Sequence, residues 1–235
     1  SKLEKVAYKY VPEVVQTFLV PFLVVLIAGP IGLLLVGPIV SILTNFVGGV
    51  FGNIHAFSPL LSGLLIGFIW QVLVIFGLHW GLVAVAMINF GLYDFDAVIL
   101  PAMFGTTFAQ VAAIIAMSFK MRDEKAKSLV IPSVISGIFG VTEPAIYSLS
   151  LPAKKPFIFS MIGAAVGGAI MTTTNTVQYT MGGLGIFGVL NFIDPAGNRR
   201  GMYISILAMF VSILISFLLT YFFWHEEESI EGGKN

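Results

Sequence analysis

The sequence predicts an all-α integral membrane protein with about five spanning helices and additional re-entrant hairpins. Two observations of composition support this class. Charged residues make up only 10% of the 235 residues while hydrophobic residues make up 57%, and the mean hydropathy is +0.97. A soluble domain of this length needs far more charge to cover its surface. Long apolar runs separated by short charged loops are the third observation, and they give the order of the elements.

Charge and cysteine usage exclude several kinds of function. Twelve basic and twelve acidic side chains cancel, so nothing in the composition indicates nucleic-acid binding. The sequence contains no cysteine, which excludes disulfides, thiolate metal sites and a cysteine nucleophile within these residues. There is no phosphate-binding loop, nucleophile elbow or dinucleotide fingerprint. We therefore expect neither a cofactor nor ATP-driven transport.

Five apolar stretches are long enough to cross a bilayer, since a spanning helix needs about 20 mainly apolar residues. They are 13–43, 59–78, 98–119, 156–175 and 201–224. The first stretch carries Pro21, Pro30 and Pro38, and proline removes a backbone donor and kinks a helix. A tilted or broken first helix is therefore predicted.

Two regions between these stretches are predicted to be non-spanning. Residues 44–58 are rich in glycine and polar side chains, which favours a connection at the membrane surface. Residues 79–97 include Asp94 and Asp96, and we expect them to contain a short re-entrant or peripheral piece.

The segment 128–153 is predicted to form a re-entrant hairpin. Basic residues flank it on both sides, in KMRDEKAK at 120–127 and in Lys154-Lys155, and basic loops favour the cytoplasmic side. Both ends of the apolar segment would then lie on the same face of the membrane. GVTEP at 140–144 interrupts the segment, because the residue before a proline avoids helix and proline suits a first helical turn. We expect helix, an extended tip at 140–143, and helix again from 144.

The same topology makes the Gly-rich stretch 176–192 a second non-spanning segment. It also places Arg199 and Arg200 on the outer side, against the positive-inside tendency. The membrane domain is predicted to end at residue 224, and the hydrophilic residues 225–235 read as a tail or a linker to another domain.

Glu143 is the first candidate site residue. An ionisable side chain at membrane depth is a functional-site hypothesis by default, because burying its charge is costly. A helix that begins at Pro144 would point free N–H groups and the positive end of its dipole towards a cavity. Broken helices of this kind form substrate sites in transporters. The alternative is that Glu143 only caps the following helix.

His79 is the second candidate, and it stands at the end of an apolar stretch beside tryptophan. Trp70, Gln71 and Trp80 accompany it, and flat aromatic faces with amide and imidazole donors suit a sugar ring. The alternative is an interfacial histidine in an aromatic belt. His55 and His225 are expected to be surface histidines, and three scattered histidines do not form a metal site.

These motifs resemble the membrane-embedded enzyme IIC domains of the bacterial phosphotransferase system (PTS), glucose superfamily. GVTEPAIYSLSLPAKKPF at 140–157 resembles the signature GITEPAIYG…LP…KPF, with Val141 and Ser148 as departures outside its polar core. LVIFGLHWGLV at 73–83 is similar to the histidine motif in its β-glucoside form. Residues 12–39 and 57–71 are similar to the same branch. A complete domain has more spanning helices, so residues 1–224 look like its C-terminal, substrate-binding half.

The resemblance implies a function and its site residues. It implies a permease in the bacterial cytoplasmic membrane that imports a sugar, here a β-glucoside, and phosphorylates it. The family's histidine and glutamate fall on His79 and Glu143, and Thr142, Trp80 and Gln71 complete the expected sugar-binding set. The phosphoryl donor would be a phosphocysteine on a IIB domain, supplied in turn by IIA. A homodimer would form through the absent N-terminal half.

Two further functions stay open from the residues alone. One is a secondary sugar transporter that couples to an ion gradient through Glu143. The other is a membrane scaffold in which Glu143 and His79 are structural.

Overall fold

The fold is known from a computed structural model that describes residues 4, 8–9, 11–12 and 15–226. These residues are helical or irregular, and no named strand occurs among them; Asp96 and Gln178 form an isolated antiparallel bridge. The all-α class is confirmed. The chain forms two compact units, Ser1–Phe46 and Val47–Asn235, which are described separately.

The helices are numbered along the chain. They are α1 (Gln16–Ile31), α2 (Gly37–Phe57), α3 (Pro59–Ile75), α4 (His79–Tyr93), α5 (Ile99–Met103), α6 (Gly105–Ser118), α7 (Glu124–Ser128), α8 (Val130–Ile138), α9 (Glu143–Ala145), α10 (Lys155–Thr173) and α11 (Arg200–Phe223). Two π-helical turns, Gly32–Val36 and Ile146–Ser150, and one 3₁₀-helix, Gly185–Phe192, complete the elements.

The first helix is interrupted, as the prolines predict. Pro21 and Pro30 lie inside α1, and the π-helical turn Gly32–Val36 follows directly. Proline cannot donate the backbone bond of a regular helix, and wider turns are a common adjustment beside such a gap.

Residues 44–58 do not form the predicted connection. Helix α2 continues to Phe57, and the break comes at Ser58, whose hydroxyl accepts the Leu61 N–H at 3.3 Å and caps α3. One of the glycines that suggested a loop, Gly48, lies instead in a contact between two helices. A Cβ at Gly48 would come within 2.8 Å of the Val85 side chain on α4. Glycine therefore allows two helices to approach closely here.

Three helical stretches are long and apolar enough to cross a membrane, within the part of the chain that is described. They are Ile99–Ser118, Lys155–Thr173 and Arg200–Phe223, in agreement with three of the five predicted spans. The helix within the predicted span 59–78 is shorter, with 17 residues. Within an apolar stretch of 18 residues in each helix, 83% of the residues are buried in Ile99–Ser118 and 22% are buried in Arg200–Phe223. The first is thus the central helix of its unit, and the last lies at its edge.

The central helices pack through small residues. A Cβ at Gly63 on α3 would collide with the Gly168 carbonyl on α10, and one at Gly167 would collide with the Ser212 hydroxyl on α11. Such close backbone approach is how helices associate where lipid removes the hydrophobic drive.

The segment between α7 and α10 has the predicted break. Helix α8 ends at Ile138, and Gly140 adopts a φ of +99°, which favours glycine. Helical structure resumes at Glu143, one residue earlier than expected, and then widens into the π-helical turn Ile146–Ser150. The helix–break–helix order predicted for 128–153 is present in the backbone, but the predicted extended tip at 140–143 is wrong, because Gly140 has a positive φ, Thr142 has right-handed helical dihedrals and Glu143 is already helical.

The region 79–97 contains a longer helix than expected, and the region 176–192 contains a short one. Helix α4 has 15 residues and ends at Asp94 in left-handed conformation, where φ is 65°. The 3₁₀-helix Gly185–Phe192 has 8 residues, a length of about 16 Å, which is too short to cross a bilayer.

The chain after α11 is described only as far as Glu226. Its carboxylate accepts the Asp123 backbone N–H at 3.1 Å and that of Arg122, which anchors the end of α11 to the loop before α7. Residues 227–235, most of the predicted tail, lie outside the described residues.

Candidate functional site

Glu143 lies at the start of the second arm of the broken segment, half-buried. Its carboxylate has no hydrogen bond or ion pair with any described residue. The helix cap is Thr142, and its side chain makes no capping bond either. The carboxylate therefore does not cap the helix with a hydrogen bond, and its oxygens remain available for a ligand.

His79 is the first residue of α4 and lies between two tryptophans. Its ring centroid is 6.1 Å from that of Trp70, edge-on, and 5.4 Å from that of Trp80. The imidazole Nδ1 is enclosed and has no hydrogen-bond partner. Trp70 is buried, whereas Trp80 is 68% exposed. The grouping therefore places a half-buried imidazole, whose enclosed Nδ1 has no partner, next to an open aromatic face.

Tyr147 brings the two halves of this region together. It follows Glu143 by one helical turn, and its hydroxyl donates to the Ile75 carbonyl at 3.0 Å. Ile75 is the last residue of α3, shortly before His79. The next residue back along the arm, Ile146, packs in one buried cluster with Trp70. The glutamate arm is therefore in direct contact with the end of α3, shortly before His79.

Gln71 and Thr142 have less room for a ligand than Glu143. The Gln71 side chain is fully buried, and its amide donates to the Thr106 carbonyl at 3.0 Å. Its Oε1 is also buried and has no partner. Thr142 is 6% exposed. The structure thus brings Trp70 and Trp80 around His79 and joins the Glu143 arm to the end of α3, while Gln71 is turned towards the backbone at the start of α6.

Sequence reasoning missed a buried network that supports the arm. The Gln110 amide on α6 donates to the Ser150 hydroxyl, and the Gln110 carbonyl oxygen accepts from the Ser160 hydroxyl at 2.8 Å. All three side chains are fully buried. The available signal was a lone amide in the apolar run 98–119, since polar side chains at membrane depth need partners.

The tip of the broken segment packs on the second irregular segment. A Cβ at Gly140 would lie 2.7 Å from the Leu184 Cβ, and one at Gly185 would collide with the Ile138 carbonyl. The rings of Phe139 and Phe187 are 6.0 Å apart. Asn191 ties this second segment together, because its amide accepts the Gly182 N–H and donates to the Gly183 carbonyl.

No cluster of His, Asp or Glu suited to a metal ion occurs among the residues that the structure describes. The candidate site residues are a carboxylate without a described partner on the second arm and an imidazole between aromatic faces at the start of α4. Such a set can hydrogen-bond a neutral polyol and accept a proton from it.

Comparison with known proteins identifies the family. Residues 1–165 match the model for "Phosphotransferase system, EIIC". The chain belongs to this family.

Relatives within the EIIC family carry sugar-specific names. The chain is 45% identical over 210 residues to a "PTS system beta-glucoside-specific EIIBCA component" of Halalkalibacterium halodurans, an alignment that covers 89% of this chain and 33% of the relative. It is 32% identical to the component of the same name from Dickeya chrysanthemi, covering 94% and 35%. A "PTS system sucrose-specific EIIBC component" of Salmonella typhimurium is also 32% identical, covering 94% and 48%. The chain thus spans about a third of the β-glucoside relatives, and no solved structure matches it.

Proposed function

We propose that this EIIC chain is the sugar-binding and translocating part of a PTS permease that imports a β-glucoside and phosphorylates it. The observation that carries this proposal is the Glu143 carboxylate, which is half-buried at a broken helix without a partner among the described residues, on an arm that contacts the end of α3 shortly before His79. The β-glucoside class is taken from the two relatives named for it, the nearer of which shares 45% identity.

The proposed chemistry gives each candidate residue a role. His79 and Thr142 donate hydrogen bonds to sugar hydroxyls, Trp80 stacks on the ring, and Gln71, whose side chain is fully buried, holds the backbone at the start of α6 through its amide. Glu143 accepts the proton of the hydroxyl that is phosphorylated. An O–P bond forms as the S–P bond of a phosphocysteine breaks, and the cysteine leaves as thiolate.

The donor and its own supplier lie outside this sequence, which has no cysteine. We assign them to IIB and IIA modules, because the relatives are named EIIBCA components. The proposed location is the bacterial cytoplasmic membrane, crossed several times, with a homodimer formed through residues beyond this chain.

Sugar phosphorylation in membrane vesicles tests the function. Vesicles that contain the permease with its IIB partner should accumulate a radiolabelled β-glucoside as its phosphate, and only when IIB can be phosphorylated. Accumulation of unmodified sugar that collapses with a proton or sodium ionophore would instead establish the ion-coupled alternative, for which the same unpaired Glu143 is a suitable proton carrier.

Cysteine labelling tests the re-entrant arrangement of 128–153. The sequence has no native cysteine, so single substitutions report without background. Lys125 and Lys154 are exposed on either side of the segment, and each is replaced singly, as Lys125→Cys and Lys154→Cys. Both should react with an impermeant maleimide from the cytoplasmic side. Reaction from opposite sides would contradict this topology and leave the site chemistry to be tested separately.

A further inference from the structure

Two arginines at the beginning of α11 have little to bind within the described chain. Arg199 and Arg200 are both exposed. The Arg199 guanidinium has no hydrogen bond or ion pair there, and Arg200 donates a single long bond of 3.4 Å to the Thr174 carbonyl. The first turn of α11 contains no acidic residue. Two positive charges and the positive end of a 24-residue helix therefore meet without an ion pair to a described residue, although Asp194 lines a small cavity together with Arg200.

A groove runs from these arginines onto the apolar face of α11. A shallow, open depression is lined by Asn198, Arg199, Arg200, Tyr203, Ile204 and Leu207. The exposed side chains continue beyond the depression at helical spacing, with Tyr203 62%, Leu207 55%, Phe210 60% and Leu214 57% exposed. Residues spaced by three or four lie on one face of a helix. The groove is thus cationic at one end and continuous with a bare apolar stripe at the other.

We propose that this groove binds an anionic glycerophospholipid. The guanidinium groups would hold the phosphate, since their planar fork matches its oxygens. Tyr203 would lie at headgroup level, where tyrosine is enriched in membrane proteins. An acyl chain would follow Leu207, Phe210 and Leu214 along the helix.

Charge and polarity favour a lipid over a soluble anion. A free phosphate would use the arginines but leave the stripe from Tyr203 to Leu214 without an occupant, about 16 Å of helix at 1.5 Å per residue. Only 22% of the apolar window of α11 is buried by the rest of the chain. On the topology proposed above, these arginines also lie on the outer side, where the positive-inside tendency does not account for them. A lipid phosphate supplies a counter-charge at that position.

Lipid titration of the purified permease tests the site. The protein in phosphatidylcholine nanodiscs is titrated with phosphatidylglycerol, and bound lipid is counted by native mass spectrometry alongside the melting temperature. Arg199→Gln with Arg200→Gln should weaken phosphatidylglycerol binding about tenfold, the loss expected for charge-assisted hydrogen bonds. Lys125→Gln with Lys127→Gln removes two exposed charges before α8 and should leave binding unchanged.

Several outcomes would overturn the proposal. If the Arg199→Gln/Arg200→Gln protein bound phosphatidylglycerol as well as the unchanged protein, the arginines would have no part in lipid binding. If phosphatidylcholine were retained as well as phosphatidylglycerol, the bound lipid would be general annular lipid. Stabilisation by inorganic phosphate to the same extent would show an anion site without a lipid. A change in oligomeric state that accounts for the melting shift would show a protein interface. The binding assay needs no transport, so it stands or fails apart from the proposed function.

Discussion

The packed core of the second unit and its broken segments use glycine in opposite ways. In the core, Gly63, Gly167 and Gly168 keep ordinary helical geometry and bring neighbouring backbones into contact. In the broken segments, Gly140 and Gly185 have positive φ values of 99° and 55°, and they join two irregular tips. The same residue therefore builds a rigid support in one region and an interruption of helix in the other.

Their polar side chains differ in exposure rather than in pairing. In the core, the Ser216 hydroxyl on α11 bonds to the Ala109 carbonyl at 2.6 Å, while the hydroxyls of Ser62, Ser212 and Thr220 are fully buried without a partner in the described chain. Beside the broken segments, the Glu143 carboxylate has no partner in the described chain and the His79 Nδ1 is enclosed without one. Polar groups left unsatisfied at such depth are costly unless a ligand or water bonds them. Lack of a partner is therefore common to both regions, and what distinguishes Glu143 from the unpaired core hydroxyls is that it is only half-buried.

The largest expected effect is on the core. Gly168→Leu places a side chain against the Ala102 and Gly63 carbonyls, both 2.5 Å from the added Cβ. Because the obstacles are backbone atoms, we expect a loss of about 3 kcal/mol in unfolding free energy, at the upper end of overpacking costs. Detergent unfolding followed by circular dichroism measures it. Gly91→Ala, where nothing lies within 4 Å, is the control and should be neutral or slightly stabilising.

The next effect concerns the joined tips. Gly140→Ala must adopt an unfavourable φ and meets Leu184, so we expect a cost of about 1–3 kcal/mol together with loss of sugar uptake. Gly197→Ala is the matched control, because its φ is +87° but its surroundings are open. Normal uptake by the Gly140→Ala protein would show that the tip contact has no part in transport.

A smaller effect is expected from the buried network at Gln110. Hydrogen bonds between membrane helices average about 0.6 kcal/mol, so Gln110→Leu should cost about 1 kcal/mol for two bonds. A double-mutant cycle with Ser150→Ala should show coupling, since removing either partner breaks the same bond. Ser205→Ala, whose hydroxyl bonds only within its own helix, should show none. Additivity of Gln110→Leu and Ser150→Ala would refute the network.

Local chemistry explains what the sequence could predict. The apolar runs determined the three long helices, and the Gly–Val–Thr–Glu–Pro order predicted the break before Glu143 to within one residue. Residues 44–58 were predicted wrongly because glycine in a loop and glycine in a helix contact have the same local signature. At Gly48, only the contact with Val85, which is far away in sequence, shows that the glycine lies in a helix contact and not in a loop.

Contacts between distant segments account for the rest. Tyr147 bonds the Ile75 carbonyl 72 positions away, and Gly140 meets Gly185, and neither pairing has a periodic signal. The orientation of Gln71 was likewise unpredictable, because its amide is directed by the Thr106 carbonyl on another helix. A sequence pattern can nominate side chains for a site, but three-dimensional packing decides which of them stay unpaired.

Glu143→Gln tests the central claim most directly, because it keeps the size of the side chain and removes its basicity. Sugar binding and IIB-dependent uptake are measured on the same preparation, with the exposed Glu124→Gln as control. We expect Glu143→Gln to bind sugar measurably but to lose phosphorylation-coupled uptake, while Glu124→Gln keeps both. Parallel loss of binding and uptake would make Glu143 a sugar ligand without a role as base. Full activity in both assays would contradict its assignment to the site.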